Sequence, residues 1–251
     1  TSGRYEFKNK GINVYLEVLN RLTRDKNLKR DVLAFVSVPG WVGEPRKDLA
    51  ERLKSKEDFD TPLECPFITH WLHNMSHDQV LDMLKYLNMS NAKDMRVKVI
   101  FVPCYLDGND GIVNLAYYDL MPGFDLTVYP SYYEPWGYTP LESMAFKVPT
   151  ITTDLAGFGL WVNTLKGHYA TLQDGVKVIH RTDYNYSEVA DAIRDTLTEY
   201  SALSPKEIEK VRKNAAAVAE QALWKYFIKN YYVAYDVALR NAAKRLEENK
   251  F

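Results

Sequence analysis

Cysteine is scarce in this 251-residue chain: only Cys65 and Cys104 occur. That excludes a disulfide framework and fits a reducing compartment, the cytoplasm. Excess charge of either sign is missing too. Lys and Arg number 32 against 33 Asp and Glu, a net charge of −1, which gives no general attraction for nucleic acid or an anionic membrane while leaving room for a local positive pocket. No apolar run approaches the roughly 18 residues of a membrane-spanning helix. The opening stretch TSGRYEFKNKG has no hydrophobic signal region. Repeats, low-complexity tracts and flexible linkers are absent as well. What remains is an ordinary globular composition, with 46% hydrophobic residues to build a substantial core. The 18 tyrosines suit wet, polar-lined surfaces better than a purely oily interior.

Short β-branched runs alternate with longer helical patterns. Residues 31–38 (DVLAFVSV), 96–102 (RVKVIFV), 124–130 (FDLTVYP), 149–153 (PTITT) and 175–180 (GVKVIH) read as strands, and 11–25 and 78–89 as amphipathic helices. Such alternation indicates βαβ units, and strands that are apolar throughout indicate a parallel sheet covered on both faces. The expected fold class is α/β, with one doubly wound, Rossmann-like domain over residues 1–200. Residues 201–251 are expected to form long C-terminal helices. Ser204 and Pro205 mark a helix start. Trp224, Phe227, Ile228, Tyr231, Tyr232, Tyr235 and Leu239 then recur at intervals of three and four, a stripe that must pack on something. Residues 39–64 are the most loop-like, with a helical pattern over 47–57. The chain starts just before a turn-like SGRYEF, where a doubly wound domain would already have its first strand. The expectation is the C-terminal part of a longer enzyme.

Residues 129–142, YPSYYEPWGYTPLE, concentrate four tyrosines, three prolines, a tryptophan and two glutamates. They admit two readings. In the structural one a strand hands over to a helix, with Thr139 as N-cap, Pro140 at the first helical position and Glu142 closing a capping box. This accounts for Glu142 but leaves Glu134 and EPWG unexplained. In the functional one the junction lies at the carboxyl edge of a parallel sheet, where open α/β folds bind ligands. A helix N-terminus there offers unpaired N–H groups and about half a positive charge to a phosphate, and Gly137 lets the backbone approach it. A phosphate on those N–H groups with a hydroxylated group beside each carboxylate describes a nucleotide sugar.

SGRYEFKNKG (2–11), ITH (68–70), YPSYYEPWGYTPLE (129–142) and ITTDLAGFG (151–159), in that order, resemble the UDP-glucose-dependent glycogen synthases of the eukaryotic type. The resemblance runs from residue 2 to about 235 and matches the C-terminal half of that family. Glu134 and Glu142 also have the E-x7-E spacing of many retaining glycosyltransferases. What it implies is the donor-binding C-terminal domain of a glycosyltransferase-B type fold, in which two Rossmann-like domains face each other across a cleft. The implied activity is retaining glucosyl transfer from UDP-glucose onto α-1,4-glucan. Kept beside it are another retaining transferase with a different donor or acceptor, and a catalytically idle nucleotide-sugar-binding module. On the resemblance, Arg4 and Lys10 match the basic pair that neutralises the donor pyrophosphate. Glu134 matches the carboxylate near the reacting carbon, Tyr117 the ring on which uracil stacks, and Glu142 the group on the ribose. Trp136, Gly137, Tyr138 and Thr139 line the sugar and distal phosphate, and His70 lies near the cleft. The glucan acceptor is held through an N-terminal domain outside this chain, toward which part of the aromatic stripe crosses. Left uncovered, that stripe would drive self-association into a homo-oligomer.

Stabilising a departing UDP with basic residues and a helix terminus requires no metal, so neither a metal nor another cofactor is expected. Two features depart from the family. The region 191–222 carries only Arg194 and Arg212 where regulated members have an arginine-dense helix that senses glucose 6-phosphate, so no activation by that sugar is expected. Lys147 stands where a helix-ending glycine is expected. His70, His73 and His77 have the residue type for a zinc site. Ser76 and Gln79, however, read as a capping box starting a helix at His77, which leaves the first two histidines in the preceding loop. Cys65 and Cys104 read as buried thiols.

Overall fold

The computed structural model describes residues 1–55 and 57–248. In chain order the elements are α1 (Ile12–Leu22), β1 (Val32–Ser37), β2 (Val42–Pro45), α2 (Lys47–Lys54), β3 (His70–Leu72), α3 (Gln79–Tyr86), β4 (Val97–Val102), α4 (Tyr117–Leu120), β5 (Thr127–Val128), α5 (Tyr138–Ala145), β6 (Thr150–Thr153), α6 (Gly157–Lys166), β7 (Val176–Ile179), α7 (Tyr186–Ala202), α8 (Pro205–Gln221) and α9 (Trp224–Glu248). Each of the five β-branched runs contains a strand. β1 and β4 pair in parallel, Val32 opposite Val97 through Ser37 opposite Val102. Parallel bridges flank them, Ile68 to Phe101 on one side and Ser2 to Ser37 on the other. β5, β6 and β7 form a second parallel group in that order. Between β1 and β5 lies a cavity of about 270 Å³ walled by Tyr15, Leu19, Leu33, Phe35, Phe124 and Leu126.

Helices cover both faces of the β5–β7 group, while β1 and β4 are covered by helices on one face and leave Leu33 exposed on the other; the architecture is α/β and Rossmann-like. On one side Leu16 and Leu19 of α1, Leu84 of α3 and Ile193 of α7 pack on Val36, Val99, Phe101, Ile151 and Ile179. On the other, Met144 of α5, Phe158 and Val162 of α6, and Ala215 and Val218 of α8 pack on Val176 and Val178. Along β7 the side chains alternate between the two layers, the period-two signature of a strand covered twice. Every residue of β6 is buried. Two of its three threonines are bonded, Thr150 Oγ1 accepting from Thr127 Oγ1 at 2.9 Å and Thr153 Oγ1 donating to the Ser131 carbonyl at 2.7 Å, whereas the Thr152 hydroxyl is buried without a partner among the described residues.

Three local expectations change. Residues 39–64 are not all loop and helix, because β2 pairs antiparallel with β3, Val42 opposite Leu72 and Pro45 opposite His70. The helix after His77 starts at Gln79 with Asp78 as its N-cap, accepting from Val80 and Leu81 N–H at 3.0 Å each; Ser76 lies in a 3-10 turn over Met75–His77. The third concerns α5 and is taken up with the site. Two other expectations hold. Ser204 and Glu207 form a capping box at the start of α8. Lys147 adopts φ 61, and the turn is closed by Lys147 N–H to Met144 O at 2.9 Å and Val148 N–H to Ser143 O at 3.0 Å. This is the Schellman arrangement with lysine in the glycine position, a conformation that costs about 1–2 kcal/mol.

α8 buries Val211, Ala215, Val218 and Ala219, whereas α9 buries nothing. Trp224, Tyr231, Tyr232, Tyr235 and Leu239 of the predicted stripe are exposed, so among the described residues no element covers that face. No helix of these residues is long and apolar enough to cross a membrane.

Candidate functional site

The segment YPSYYEPWGYTPLE leaves β5 at the carboxyl edge of the sheet and enters α5, the topological position where open α/β folds place ligands. Backbone bonds hold it along its length. Tyr129 N–H donates to Ile151 O at 2.8 Å and Tyr132 N–H to Asn9 O at 2.7 Å. Glu134 O accepts from Gly157 N–H at 3.0 Å and Trp136 O from Phe158 N–H at 2.6 Å. The first N–H groups of α6 are thereby occupied by the loop that carries Glu134. Gly157 is required there, since a Cβ would overlap the carbonyl of Pro135. Arg181, just beyond β7, donates to the carbonyl of Pro130 and lies over the Tyr132 ring, 5.4 Å from its centroid. Burial depresses its pKa below the usual range. Arg181 is a positioning residue that sequence reading missed. The signal was available in principle, because it follows a parallel strand at the ligand-binding edge.

The capping box expected at α5 is not formed. The helix begins at Tyr138, its N-cap is Gly137 at φ 103, and no side chain caps it. Thr139 and Pro140 are the second and third helical residues. Glu142 does not turn back to the helix start; its carboxylate accepts from the Tyr118 hydroxyl at 3.0 Å, a hydrogen bond that pushes the Tyr118 phenol upward. Two things follow chemically. The N-terminus of α5 keeps its partial positive charge and free donors, and Glu142 is available at the cleft.

Facing this helix start, Lys10 and Glu134 form an ion pair, their side chains 15% and 20% exposed. Gly137 stands against Glu134, whose Cγ would lie 3.4 Å from a Cβ placed there. On the adjoining side a cavity of about 570 Å³ is lined by Ser2, Arg4, Tyr5, Cys104, Tyr117 and Thr139, among others. Tyr117 is fixed at its hydroxyl by Ser2 Oγ at 2.8 Å, and Ser2 also meets the Tyr129 hydroxyl at 3.4 Å. Burial pushes the Tyr117 phenol up, against the opposing pull of the Ser2 bond. Arg4 pairs with Glu6 at 3.0 Å but remains 75% exposed. The structure thus gathers Arg4, Tyr117 and Thr139 around one cavity, with Lys10, Glu134 and Gly137 beside it and Glu142 behind Tyr118. It turns two rings elsewhere. Trp136 packs against Phe158, Trp161 and Phe227, and Tyr138 lines a separate aromatic cavity.

His70 is buried behind the cavity wall, with Nδ1 at 2.9 Å from Thr69 Oγ1 and Nε2 at 2.7 Å from the Asp110 carbonyl. It forms a cluster with Cys104 and Asp110, ligand atoms within 4.8 Å, that contains neither His73 nor His77. The cluster does not suit a metal. Both ring nitrogens of His70 are engaged. Burial pushes the Asp110 carboxyl up, but the N–H groups of Val113, Ile112 and Asn114 outweigh it and hold it below its usual range. Burial, with Asp110 adding to it, pushes the Cys104 thiol up to about 11, away from the thiolate a metal needs. An Asp-x-Asp run, Asp58 to Asp60, does occur. Lys93 Nζ bridges its carboxylates at 3.4 and 2.5 Å in an exposed loop.

The family model described as glycogen synthase matches residues 60–250. The chain belongs to that family. It is 26% identical to glycogen [starch] synthase isoform 2 of Saccharomyces cerevisiae, over 95% of this chain and 42% of that protein. It is 28% identical to the glycogen [starch] synthase of Caenorhabditis elegans, over 98% of this chain and 44% of that protein. The chain therefore spans less than half the length of the relatives it matches. A solved glycosyltransferase, WaaG, involved in lipopolysaccharide biosynthesis, overlays with a TM-score of 0.49 at 17% identity, over 92% of this chain and 44% of that one.

Proposed function

We propose that this chain is the donor-binding half of a retaining glucosyltransferase that extends α-1,4-glucan from UDP-glucose. Residues 1–200 form the donor domain, followed by α8, which packs on it, and α9, which offers its exposed face to the acceptor-side domain. The observation that carries this reading is the Lys10–Glu134 pair set against the uncapped N-terminus of α5. A nucleotide diphosphate needs donors and positive charge, and a hexose needs a carboxylate for its hydroxyls. Uracil stacks on Tyr117 in the larger cavity, the ribose hydroxyls meet Glu142, and the pyrophosphate lies between Arg4, Lys10 and the N–H groups of Gly137 to Thr139. An Arg fork and a Lys point charge both suit phosphate oxygens. Glu134 holds the glucosyl hydroxyls next to the anomeric carbon, and His70 supports the cavity wall from behind.

Departure of UDP breaks the bond between the anomeric carbon and the β-phosphate oxygen, leaving positive charge on the sugar and negative charge on the phosphate. Arg4, Lys10 and the α5 terminus oppose the negative charge. The acceptor 4-hydroxyl attacks from the same face, its oxygen bonding to the anomeric carbon as its proton passes to the leaving phosphate, so the configuration is retained. UDP-, ADP- and GDP-glucose carrying labelled glucose, offered with glycogen to the protein that bears this chain, test the reading. UDP-glucose is expected to be the best donor. Glu134→Ala and Arg4→Ala should each lower transfer by about 100-fold or more, with far-ultraviolet circular dichroism unchanged. Wild-type rates in either variant would remove the assignment.

A further inference from the structure

Asp154, at the exit of β6, is a buried carboxylate that the reaction above does not use. Its side chain is 9% exposed. Oδ1 accepts from the backbone N–H of Arg181 at 2.9 Å, while Oδ2 meets His180 Nδ1 at 2.6 Å and the Tyr169 hydroxyl at 3.1 Å. Asp154 N–H also donates to Ile179 O at 3.0 Å, so the ends of β6 and β7 are tied twice. Arg181 carries that constraint to the carboxylate loop. Its guanidinium, in a residue 6% exposed, donates to the Pro130 carbonyl and lies over the Tyr132 ring, and the Tyr132 hydroxyl in turn donates to Asp183. The Pro130 carbonyl is also the surface on which Gly11 rests: Gly11 has φ 68, and a Cβ on it would overlap that oxygen. Gly11 directly follows Lys10. The turn is closed by Lys10 N–H to Glu6 O at 2.8 Å and Gly11 N–H to Lys8 O at 3.1 Å, and Asn9 O accepts from Tyr132 N–H at 2.7 Å. The backbone at Lys10 is therefore seated on residues 130–132, while its ammonium pairs with Glu134 of the same loop. One carbonyl oxygen receives both the guanidinium and the glycine, so a shift of Arg181 moves the seat of Lys10. Such shifts matter, because a misplacement of about 1 Å can cost about 100-fold in rate.

We infer that Asp154 is a positioning residue for Lys10, acting through Arg181 and Pro130. The inference rests on the donor reading above, in which Lys10 faces the departing phosphate. The test measures kcat and KM for UDP-glucose, with glycogen as acceptor, in the protein that bears this chain. Asp154→Ala removes the acceptor of Arg181 N–H and should lower kcat by about tenfold. KM should change by no more than about twofold, because the ammonium stays near the bound donor but is no longer aligned with the charge that develops as UDP leaves. Asp154→Asn should recover kcat to within about twofold of wild type, since its amide oxygen still accepts from Arg181 N–H. The decisive arm is the double variant. If Asp154 acts through Lys10, adding Asp154→Ala to Lys10→Met should lower kcat further by less than about twofold, whereas a general loosening of the fold gives the full loss again. Should Asp154→Ala not fold, Arg181→Lys reads the same link, because it keeps the charge and the backbone bond to Asp154 but loses the planar fork on Pro130; the same loss and the same non-additivity are expected. Wild-type kcat in Asp154→Ala, an undiminished loss on the Lys10→Met background, or an Asp154→Asn variant as impaired as Asp154→Ala each overturns the inference and leaves the donor reading standing. Wild-type transfer in Lys10→Met overturns the donor reading itself, and this inference with it.

Discussion

Lys10→Met and Glu134→Gln, alone and together, close a thermodynamic cycle on the pair at the centre of the site. Because their side chains are 15% and 20% exposed, removing either one leaves the other largely without water and without a counter-charge. A fully buried pair broken in this way costs about 3–5 kcal/mol, and an exposed one about 0.2–1 kcal/mol. Lys10→Met falls between these, at about 2 kcal/mol, which is about 4–8 °C in Tm for a domain of this size. Glu134→Gln costs less, about 1 kcal/mol, because the amide oxygen still accepts from the ammonium. The double variant should show a coupling of about 1–2 kcal/mol. Calorimetric titration with UDP supplies the second readout, and its sign is what discriminates. In the free protein Lys10 is held by Glu134, so phosphate must compete for it. Glu134→Gln should therefore bind UDP more tightly, by up to about tenfold, while losing transfer, and Lys10→Met should bind it more weakly. A purely structural pair gives similar stabilities but leaves the UDP affinity of Glu134→Gln at the wild-type value. That result, or stabilities additive to within about 0.5 kcal/mol, would refute the reasoning.

Gly157→Ala should lower stability by about 2–4 kcal/mol, combining about 1–3 kcal/mol of overpacking against the Pro135 carbonyl with strain on the two backbone bonds that hold Glu134 and Trp136. Chemical denaturation reads it, and an unchanged midpoint would show that the loop is not fixed there. The Cys104 thiol, pushed up to about 11 against an ordinary 9.0, should alkylate with iodoacetamide at pH 8 about 100-fold more slowly than in the unfolded chain. Because its pKa is raised on folding, its contribution to stability is present below about pH 9 and lost as pH rises toward 11. Equal alkylation rates in native and unfolded protein would contradict the burial.

The parallel strands were legible because a largely buried strand needs little more than an apolar, β-branched run, and Val97 to Val102 or Thr150 to Thr153 meet that requirement alone. β2 was not, since Val42–Pro45 reads VGEP, and its pairing with β3 depends on a partner 25 or more residues away in sequence. Caps failed for a similar reason. Thr139, Pro140 and Glu142 carry the letters of a capping box, but the bonds from Gly157 and Phe158 to the 134–136 carbonyls draw the chain in so that the helix has already begun at Tyr138. At the site, Glu134 stands apart as the carboxylate that a cap leaves unexplained, whereas Arg4 and Lys10 are reached through the family resemblance alone. Arg181 on Pro130 and Tyr118 on Glu142 are bonds across 51 and 24 residues; nothing in the neighbouring sequence of either residue announces its partner.

Two of the helices that begin at this edge of the sheet, α5 and α6, flank the carboxylate loop, and the chain treats their ends oppositely. α6 starts after Ala156 with no side-chain cap, and its first N–H groups, Gly157 and Phe158, are taken by the carbonyls of Glu134 and Trp136. α5 also starts without a side-chain cap, at Gly137, and there the carboxylate best placed in sequence to close it, Glu142, bonds Tyr118 instead. Pro140 has no N–H to donate, so the donors of α5 that face outward belong to Tyr138 and Thr139. One helix terminus is thus consumed in fixing the carboxylate loop, while the other is left open in front of that loop with a lysine alongside. An ordinary cap at α5 would add about 1 kcal/mol of stability. Its absence is shared with α1, α2, α4, α6 and α7; what sets α5 apart is that its open end lies beside the Lys10–Glu134 pair.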